Sequence, residues 1–208
     1  MTCRIVRGLR SLRGFRSYPA IRTALSAARD RLGMRIVHFS VQGDHLHLLV
    51  EVQDQVALGR AMKGFGVRVA RRLNRLAGRC GQVIADRYHA RALLTPREVR
   101  AALVYVIQNG KKHASGGEAR LRRSRSWTDP LSSAAYFDGW SDGCRAFVPD
   151  RDASAHPLHR GGAPPPVVPA RGWLLRVGWR RAGGSIDTAE MPASGGLAGA
   201  MGSAVSAG

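Results

Sequence analysis

Long apolar runs, acidic residues and cysteines are all scarce in this chain of 208 residues. No stretch approaches the roughly 18 apolar residues that a membrane-spanning helix needs, so the sequence predicts no membrane segment. Arg4, Arg7 and Arg10 interrupt the place where a secretory signal would carry its apolar stretch, so we expect a cytoplasmic protein. The three cysteines are widely spaced and form no CxxC pair, which argues against a disulfide framework and a cysteine zinc cluster.

The shortage of acidic residues leaves the chain strongly basic. Lys and Arg number 33 against 14 Asp and Glu, a formal net charge of +19. In residues 1–113, 22 basic side chains against 6 acidic ones give +16 of that charge. Such a surface attracts nucleic acid, and anionic lipid is the weaker candidate because no helix pairs a basic face with a broad aromatic one. Only three of the basic residues are Lys, which indicates either a GC-rich genome or phosphate binding by guanidinium groups.

Composition divides the chain into four parts. Residues 1–113 form the basic domain, and residues 114–170 are rich in Ser, Gly, Pro and Ala, which is typical of an irregular linker. Residues 171–190 include RGWLLRVGWRR, a short apolar and basic element able to dock on the domain. Residues 191–208 contain few core-forming side chains, so we expect a disordered tail.

The order of predicted elements in the basic domain indicates a fold class. Four segments have the composition or the alternation of strands: residues 2–6, 35–41, 45–52 and 88–94. Three segments have apolar residues at helical spacing: 19–32, 56–76 and 96 to about 108. The order β-α-β-β-α-β plus a C-terminal helix predicts an α+β fold, a ferredoxin-like plait, followed by a largely irregular tail.

Two histidines stand out on the third of these strand-like segments, within GDHLHLLVE. Residues two apart on a strand point to the same face, so His45 and His47 project together while Leu46 and Leu48 face the core. Paired imidazoles of this kind are suited to bind a metal ion. The alternative is a pair of surface histidines without a function.

Tyr105 and Asn109 lie four residues apart on the last predicted helix and therefore share one face. One interpretation makes Tyr105 a core residue and Asn109 a C-terminal cap beside Gly110. The other places a tyrosine hydroxyl and an amide oxygen against the paired imidazoles, where the helix crosses the sheet. Two histidines and one oxygen ligand leave open positions on a divalent cation, as metal-assisted phosphoryl chemistry requires.

These motifs carry a resemblance to a known family. The HLH, preceded by VHFSVQGD and followed by LLVE, resembles the HUH motif (His, hydrophobe, His) of single-tyrosine transposases. The segment RRLNRLAGRCGQVIADRYHARALLTPREVRAALVYVIQNGKKH resembles the REP-associated tyrosine transposase group and its insertion-sequence relatives. Together the motifs cover most of residues 2–113, about half of the chain, and they occur in the family's order.

The resemblance implies a transposase that cleaves single-stranded DNA and transfers the strand through a 5′-phosphotyrosine intermediate. It assigns Tyr105 as the nucleophile and His45, His47 and Asn109 as ligands of a divalent metal ion, Mg²⁺ or Mn²⁺. The implied substrate is single-stranded DNA beside a hairpin, the active form is a monomer or a homodimer, and the protein associates with the nucleoid when it binds DNA. We expect contacts with the DNA backbone from five arginines, four on the cationic face of the second long helix and one beyond its end: Arg68, Arg71, Arg72, Arg75 and Arg79. The alternative for each of them is a solvated surface charge.

Two residues depart from the family's pattern. Asp44 stands where the family commonly has Asn. One interpretation makes it a turn residue without effect on the chemistry, and the other expects its carboxylate to perturb the metal or to repel phosphate. Gly110 stands where the family has Pro, and we expect it to loosen the end of the helix without removing a ligand.

Other functions and other residues compete with this interpretation. A non-catalytic DNA-binding protein, decayed or domesticated, would keep the basic face but would not need the metal ligands and Tyr105. A histidine-triad nucleotide hydrolase would use a third alternating histidine, and that position is Leu49 here. Tyr88 is a rival nucleophile that lacks a companion four residues on, and His38 is interpreted as structural.

Overall fold

The computed structural model describes residues 1–112, 127–141 and 164–192. Most of the predicted linker, Cys144 and nearly all of the predicted tail lie outside these ranges. The strands are β1 (Thr2–Arg4), β2 (Asp30–Arg31), β3 (Met34–Val41) and β4 (His45–Val52). The α-helices are α1 (Ser17–Ala28), α2 (Gln55–Ala77), α3 (Pro96–Lys112) and the short α4 (Trp173–Arg176). Ser133–Tyr136 and Gly178–Ala182 form 3-10 turns.

The four strands form one antiparallel sheet in the order β1-β4-β3-β2. β3 and β4 make the hairpin that the sequence predicts. β1 pairs with the other edge of β4 and places Thr2 opposite His47 and Arg4 opposite His45. This sheet, combined with several helices, confirms the α+β class.

The prediction of a strand over residues 88–94, the last strand of the plait, is wrong. The chain that follows α2 does run antiparallel to β1, but it forms only the isolated bridges Ile5 to Ile84 and Thr2 to His89. Three positions separate the two bridged residues on the β1 side and five separate them on the other side. This shift of two residues interrupts the hydrogen-bond ladder, so no regular strand forms.

The helix that carries Tyr105 begins as predicted and ends later than predicted. Its capping box is formed, since the Thr95 hydroxyl accepts from the Glu98 amide at 3.2 Å and the Glu98 carboxylate accepts from the Thr95 amide at 3.1 Å. The helix was expected to end near Gly110, yet it continues through this glycine to Lys112. None of the helices in the described part of the chain is long and apolar enough to cross a membrane.

The sheet separates two apolar cores. Leu46 and Leu48 of β4 face one core together with α1 and α2, which contribute Ile21, Leu25, Phe65 and Val69 among others. Leu49 faces the other core together with α3, which contributes Val99, Leu103, Val106 and Ile107. α3 therefore covers the same side of β4 as His45 and His47, because positions 45, 47 and 49 alternate with 46 and 48.

Two segments from the C-terminal half of the chain pack on the domain. Residues 127–141 and 164–170 fall within the predicted linker, and Leu131 in the first accepts a backbone hydrogen bond from Val41 at 2.9 Å. The predicted docking of the Trp/Arg-rich element also has a counterpart, since Trp179 is only 1 % exposed in the core beneath α3. Side chains from residues 127–141 and 164–192 thus cover apolar surface of the first 112 residues.

His38 is a buried structural residue of this second core. Its Nδ1 lies 3.1 Å from Ser133 Oγ, and its ring packs edge-on against Phe137. Burial lowers the pKa of His38 from 6.5 to about 4. Between these values the unfolded chain binds a proton that the folded chain does not bind, so the free energy of unfolding decreases as the pH falls through this window.

We therefore expect acid to destabilise the wild type by about 1.4 kcal/mol per pH unit through His38 alone. His38→Asn should lose this part of the pH dependence because the amide does not titrate. Urea unfolding at about pH 6 and about pH 5, for both proteins, measures the difference in slope. Equal slopes would show that the buried imidazole does not control this window.

Candidate functional site

His45 and His47 meet at their Nε2 atoms, which lie 3.0 Å apart. The alternation of β4 brings both rings to the side of the sheet that α3 covers, and the ring centroids are 4.7 Å apart. His47 is buried and His45 is partly exposed. The predicted pairing of the two imidazoles is thus present in the folded chain.

The other ring nitrogen of each histidine has an oxygen partner. Asp44 Oδ1 lies 2.7 Å from His45 Nδ1, and Thr2 Oγ1 lies 3.0 Å from His47 Nδ1. Thr2 reaches this position because it is the residue opposite His47 in β1. The hydrogen bond to His45 lowers the pKa of Asp44, so its carboxylate is ionised at neutral pH. Partners of this kind orient an imidazole and direct Nε2 toward a ligand.

Tyr105 of α3 joins the two histidines. Its hydroxyl lies 3.5 Å from His47 Nε2, and the two rings meet edge to face with centroids 5.0 Å apart. The side chain is half-buried, and this burial raises the pKa of Tyr105 above its ordinary value of 10. The phenol is therefore protonated at neutral pH.

Asn109 lies one helical turn beyond Tyr105, and its residue is fully buried. Neither its amide nitrogen nor its amide oxygen has a hydrogen-bond partner among the described residues. An unsatisfied buried amide costs about 1–3 kcal/mol. A buried amide of this kind is able to bind a ligand, and a metal ion is the ligand that the sequence predicts for Asn109.

The spacing of the two imidazoles is compatible with two adjacent ligands of a six-coordinate divalent ion. Ligands in adjacent octahedral positions, each about 2.1 Å from Mg²⁺, lie about 3.0 Å apart. The two Nε2 atoms have this separation of 3.0 Å. No cluster of three or more His, Cys, Asp or Glu side chains within residues 1–112, 127–141 and 164–192 is arranged for a metal ion. A site here would take its third protein donor from the Asn109 amide.

A partly buried ion pair that the sequence does not reveal supports the end of α3. The Asp129 carboxylate accepts two hydrogen bonds from the Arg13 guanidinium, both at 2.8 Å, and Arg13 also donates to the Val41 carbonyl at 2.7 Å. Asp129 packs directly against Gly110, the residue after Asn109. No sequence pattern links Arg13 to a residue 116 positions away.

Four of the predicted DNA-contacting arginines belong to α2, which lies on the other side of the sheet, and Arg79 follows two residues after the end of this helix. The buried face of α2 packs with Leu46 and Leu48, opposite to the histidines. Arg71 and Arg75 are exposed, and the remaining three are partly exposed: Arg68, Arg72 and Arg79. The structure does not bring these five arginines together with Tyr105.

Tyr88, the rival nucleophile, also belongs to the opposite side. Its partly buried ring packs against the core formed by α1 and α2. It lines a cavity of about 380 Å³ together with Phe65 and Met62 of α2. Tyr88 is therefore not part of the group that contains His45 and His47.

Comparison with known proteins identifies one family. Residues 15–90 match a family model described as "Transposase IS200 like". The matched region contains both histidines and ends before Tyr105 and Asn109. The match does not distinguish the REP-associated group from the other IS200-like transposases. No curated protein and no solved structure matches the chain.

Proposed function

We propose that the chain, whose residues 15–90 match a model of IS200-like transposases, cleaves and rejoins single-stranded DNA with Tyr105 as the nucleophile. The family is one of DNA-processing enzymes that act in transposition. Our proposal adds three features to this family role: a metal ion, a tyrosine nucleophile and a single-stranded substrate.

One observation carries the proposal: the Tyr105 hydroxyl lies 3.5 Å from His47 Nε2, whose neighbour His45 Nε2 is 3.0 Å away. A nucleophile beside a pair of metal ligands is the arrangement that phosphoryl transfer through a covalent enzyme intermediate requires. These residues come from β4 and α3, two rigid elements held together by an apolar core.

The reaction requires two displacements at one phosphorus atom. The Tyr105 oxygen attacks the scissile phosphate and the phenolic proton passes to water. The bond from phosphorus to the 3′ oxygen breaks, and the departing 3′ oxygen takes up a proton from water. This leaves a 5′-phosphotyrosine and a free 3′ hydroxyl. In the second step a 3′ hydroxyl attacks the phosphotyrosine and releases the Tyr105 oxygen, so strand joining needs no ATP.

His45, His47 and Asn109 would hold a divalent ion, Mg²⁺ or Mn²⁺. The ion supplies Lewis-acid polarisation of the scissile phosphate when it is bound. Asp44 and Thr2 fix the orientation of the two imidazoles, so that both Nε2 atoms converge on one point. Asn109 contributes the amide oxygen that no protein group satisfies among the described residues.

The test incubates the purified full chain with end-labelled single-stranded oligonucleotides that carry hairpins from the flanks of its own gene. We expect a covalent protein–DNA adduct that survives denaturation, forms with Mn²⁺ and does not form with EDTA. The released product should carry a 3′ hydroxyl that terminal transferase extends. Tight binding without an adduct on any of the hairpins would instead indicate the non-catalytic DNA-binding protein.

The Asp44 carboxylate should strengthen metal binding because it holds His45 in position and makes it a better donor. Asp44→Ala is expected to weaken Mn²⁺ binding about tenfold or more, as is common when such a partner is removed. Asp44→Asn keeps an oxygen acceptor and should lose only part of the affinity. Titration calorimetry with Mn²⁺ alone measures both variants without DNA, and equal affinities for all three proteins would contradict this role.

A further inference from the structure

We propose that residues 6–16, here called the arginine loop, hold the single strand beside the site, with Phe15 stacked on an unpaired base and exposed arginines on the phosphates. This inference rests on the proposed function, because it assigns the path of the DNA that Tyr105 would cleave. It differs from the predicted path along α2.

Backbone hydrogen bonds place the arginine loop next to the histidines. The amide of Ile5, the residue before the loop, donates to the Asp44 carbonyl at 2.8 Å, and the amide of Leu12 within the loop donates to the Gly43 carbonyl at 2.8 Å. Both acceptors belong to the turn that immediately precedes His45. The loop therefore borders the site on the side where β4 begins.

The charged side chains that the N-terminal segment contributes are all basic. Residues 1–29 contain seven arginines and no Asp or Glu. Arg4 is paired with His45 across the sheet, so its exposed side chain lies on the same face as the imidazole. The loop continues this exposed basic surface with Arg7, Arg10 and Arg16. A polyanion is the partner that this surface fits.

Phe15 supplies the aromatic group that a single-strand surface requires. It is 83 % exposed, the most exposed of the large apolar side chains in the described residues. Aromatic rings among basic residues bind single strands because every base has a π-face on which a ring stacks. Duplex DNA offers no such face along its length, so the combination indicates a single-stranded partner.

The turn that presents Phe15 is held in place from beneath. The preceding Gly14 amide donates to the Ser11 carbonyl at 3.0 Å, and Leu12 is 1 % exposed in the core. Arg13 is held by the buried Asp129 carboxylate through two hydrogen bonds of 2.8 Å. A ring on such a support loses little conformational freedom when a base stacks on it.

The aromatic part of the proposal is tested by Phe15→Ala, Phe15→Leu and Phe15→Trp. Binding of a fluorescent single-stranded oligonucleotide is measured by anisotropy in EDTA on a Tyr105→Phe background, so that no cleavage contributes. We expect Ala and Leu to weaken binding about tenfold and Trp to retain the affinity, because stacking needs a ring. A Leu variant that binds like the parent overturns the stacking role.

The charge part is tested with two matched double variants, Arg7→Ala/Arg10→Ala in the loop and Arg71→Ala/Arg75→Ala on α2. All four arginines are exposed, so both variants remove two surface charges. Each phosphate contact on a single strand contributes about 0.7 to the slope of log affinity against log salt. The loop variant should lower this slope by about 1.4. The α2 variant should change the slope less when the oligonucleotide is short.

The outcomes separate this inference from the proposed function. Loss of binding in the α2 variant with an unchanged loop variant would place the strand on α2 and overturn the inference, whereas cleavage by Tyr105 would still stand. Weaker binding in the loop variants alone supports the inference whether or not an adduct forms. Absence of single-strand binding by the parent protein overturns both.

Discussion

Tyr105→Phe is expected to lower the rate of formation of the covalent protein–DNA adduct by a factor of about a thousand or more. The substitution removes one oxygen atom, the proposed nucleophile, and leaves the ring that packs 5.0 Å from the His47 ring. Folding and DNA binding should therefore be retained. The measurement is the rate of adduct formation on a labelled hairpin oligonucleotide with Mn²⁺, read from a denaturing gel.

Tyr88→Phe is the matched control, because it removes the same atom from a tyrosine that packs with α1 and α2 across the sheet. We expect this variant to form the adduct at the rate of the wild type. The reverse result, an adduct that survives in Tyr105→Phe and is lost in Tyr88→Phe, would move the nucleophile to the other side of the sheet. It would also remove His45 and His47 from the site.

Local signals predicted β4, which carries the two histidines, and α2 across the sheet. The strand predicted over residues 45–52 is His45–Val52 in the structure, and the helix predicted over residues 56–76 is Gln55–Ala77. Alternation, helical spacing and caps are all properties of a short stretch of chain. Asp54 illustrates this, since its carboxylate accepts from the Ala57 amide at 2.7 Å and begins the helix that the sequence predicts.

Signals that depend on distant residues could not be predicted in the same way. The strand predicted over residues 88–94 fails because its pairing with β1 shifts by two residues, and only the folded register reveals this shift. Ser133, which contacts the buried His38, lies 95 residues away in the chain and inside a segment with the composition of a linker. Such long-range partners leave no periodic pattern in one sequence.

The position of the α2 arginines shows why a charged face does not identify the site it serves. The helical spacing predicted the buried and exposed sides of α2, and Phe65, Val69 and Leu73 are buried as expected. Which side of the sheet the helix covers depends on the crossover of the chain and not on its own residues. A basic face can therefore be real and yet lie across the sheet from the groups it was expected to serve.

Gly110→Ala is expected to destabilise the folded chain by about 3 kcal/mol or more. A Cβ atom at this position would overlap Asp129 Oδ2 and would lie 2.7 Å from Cγ. The carboxylate cannot move aside without losing the two hydrogen bonds from Arg13 and the one from the Leu131 amide. Urea unfolding of wild type and variant measures the loss.

Gly59→Ala is the matched control because it is also a helical glycine, in α2, where a new Cβ meets nothing within 4 Å. Alanine should stabilise this position by about 0.5–1 kcal/mol, since it restricts the unfolded chain and favours the helix. The two substitutions are chemically identical, so opposite signs must come from Asp129. The substitution Asp129→Ala should lower the free energy of unfolding less in the Gly110→Ala variant than in the wild type. If the losses of the two substitutions are additive, this explanation is contradicted. Position 110 is then glycine because the Asp129 carboxylate, held by Arg13, fills the space that a side chain would need.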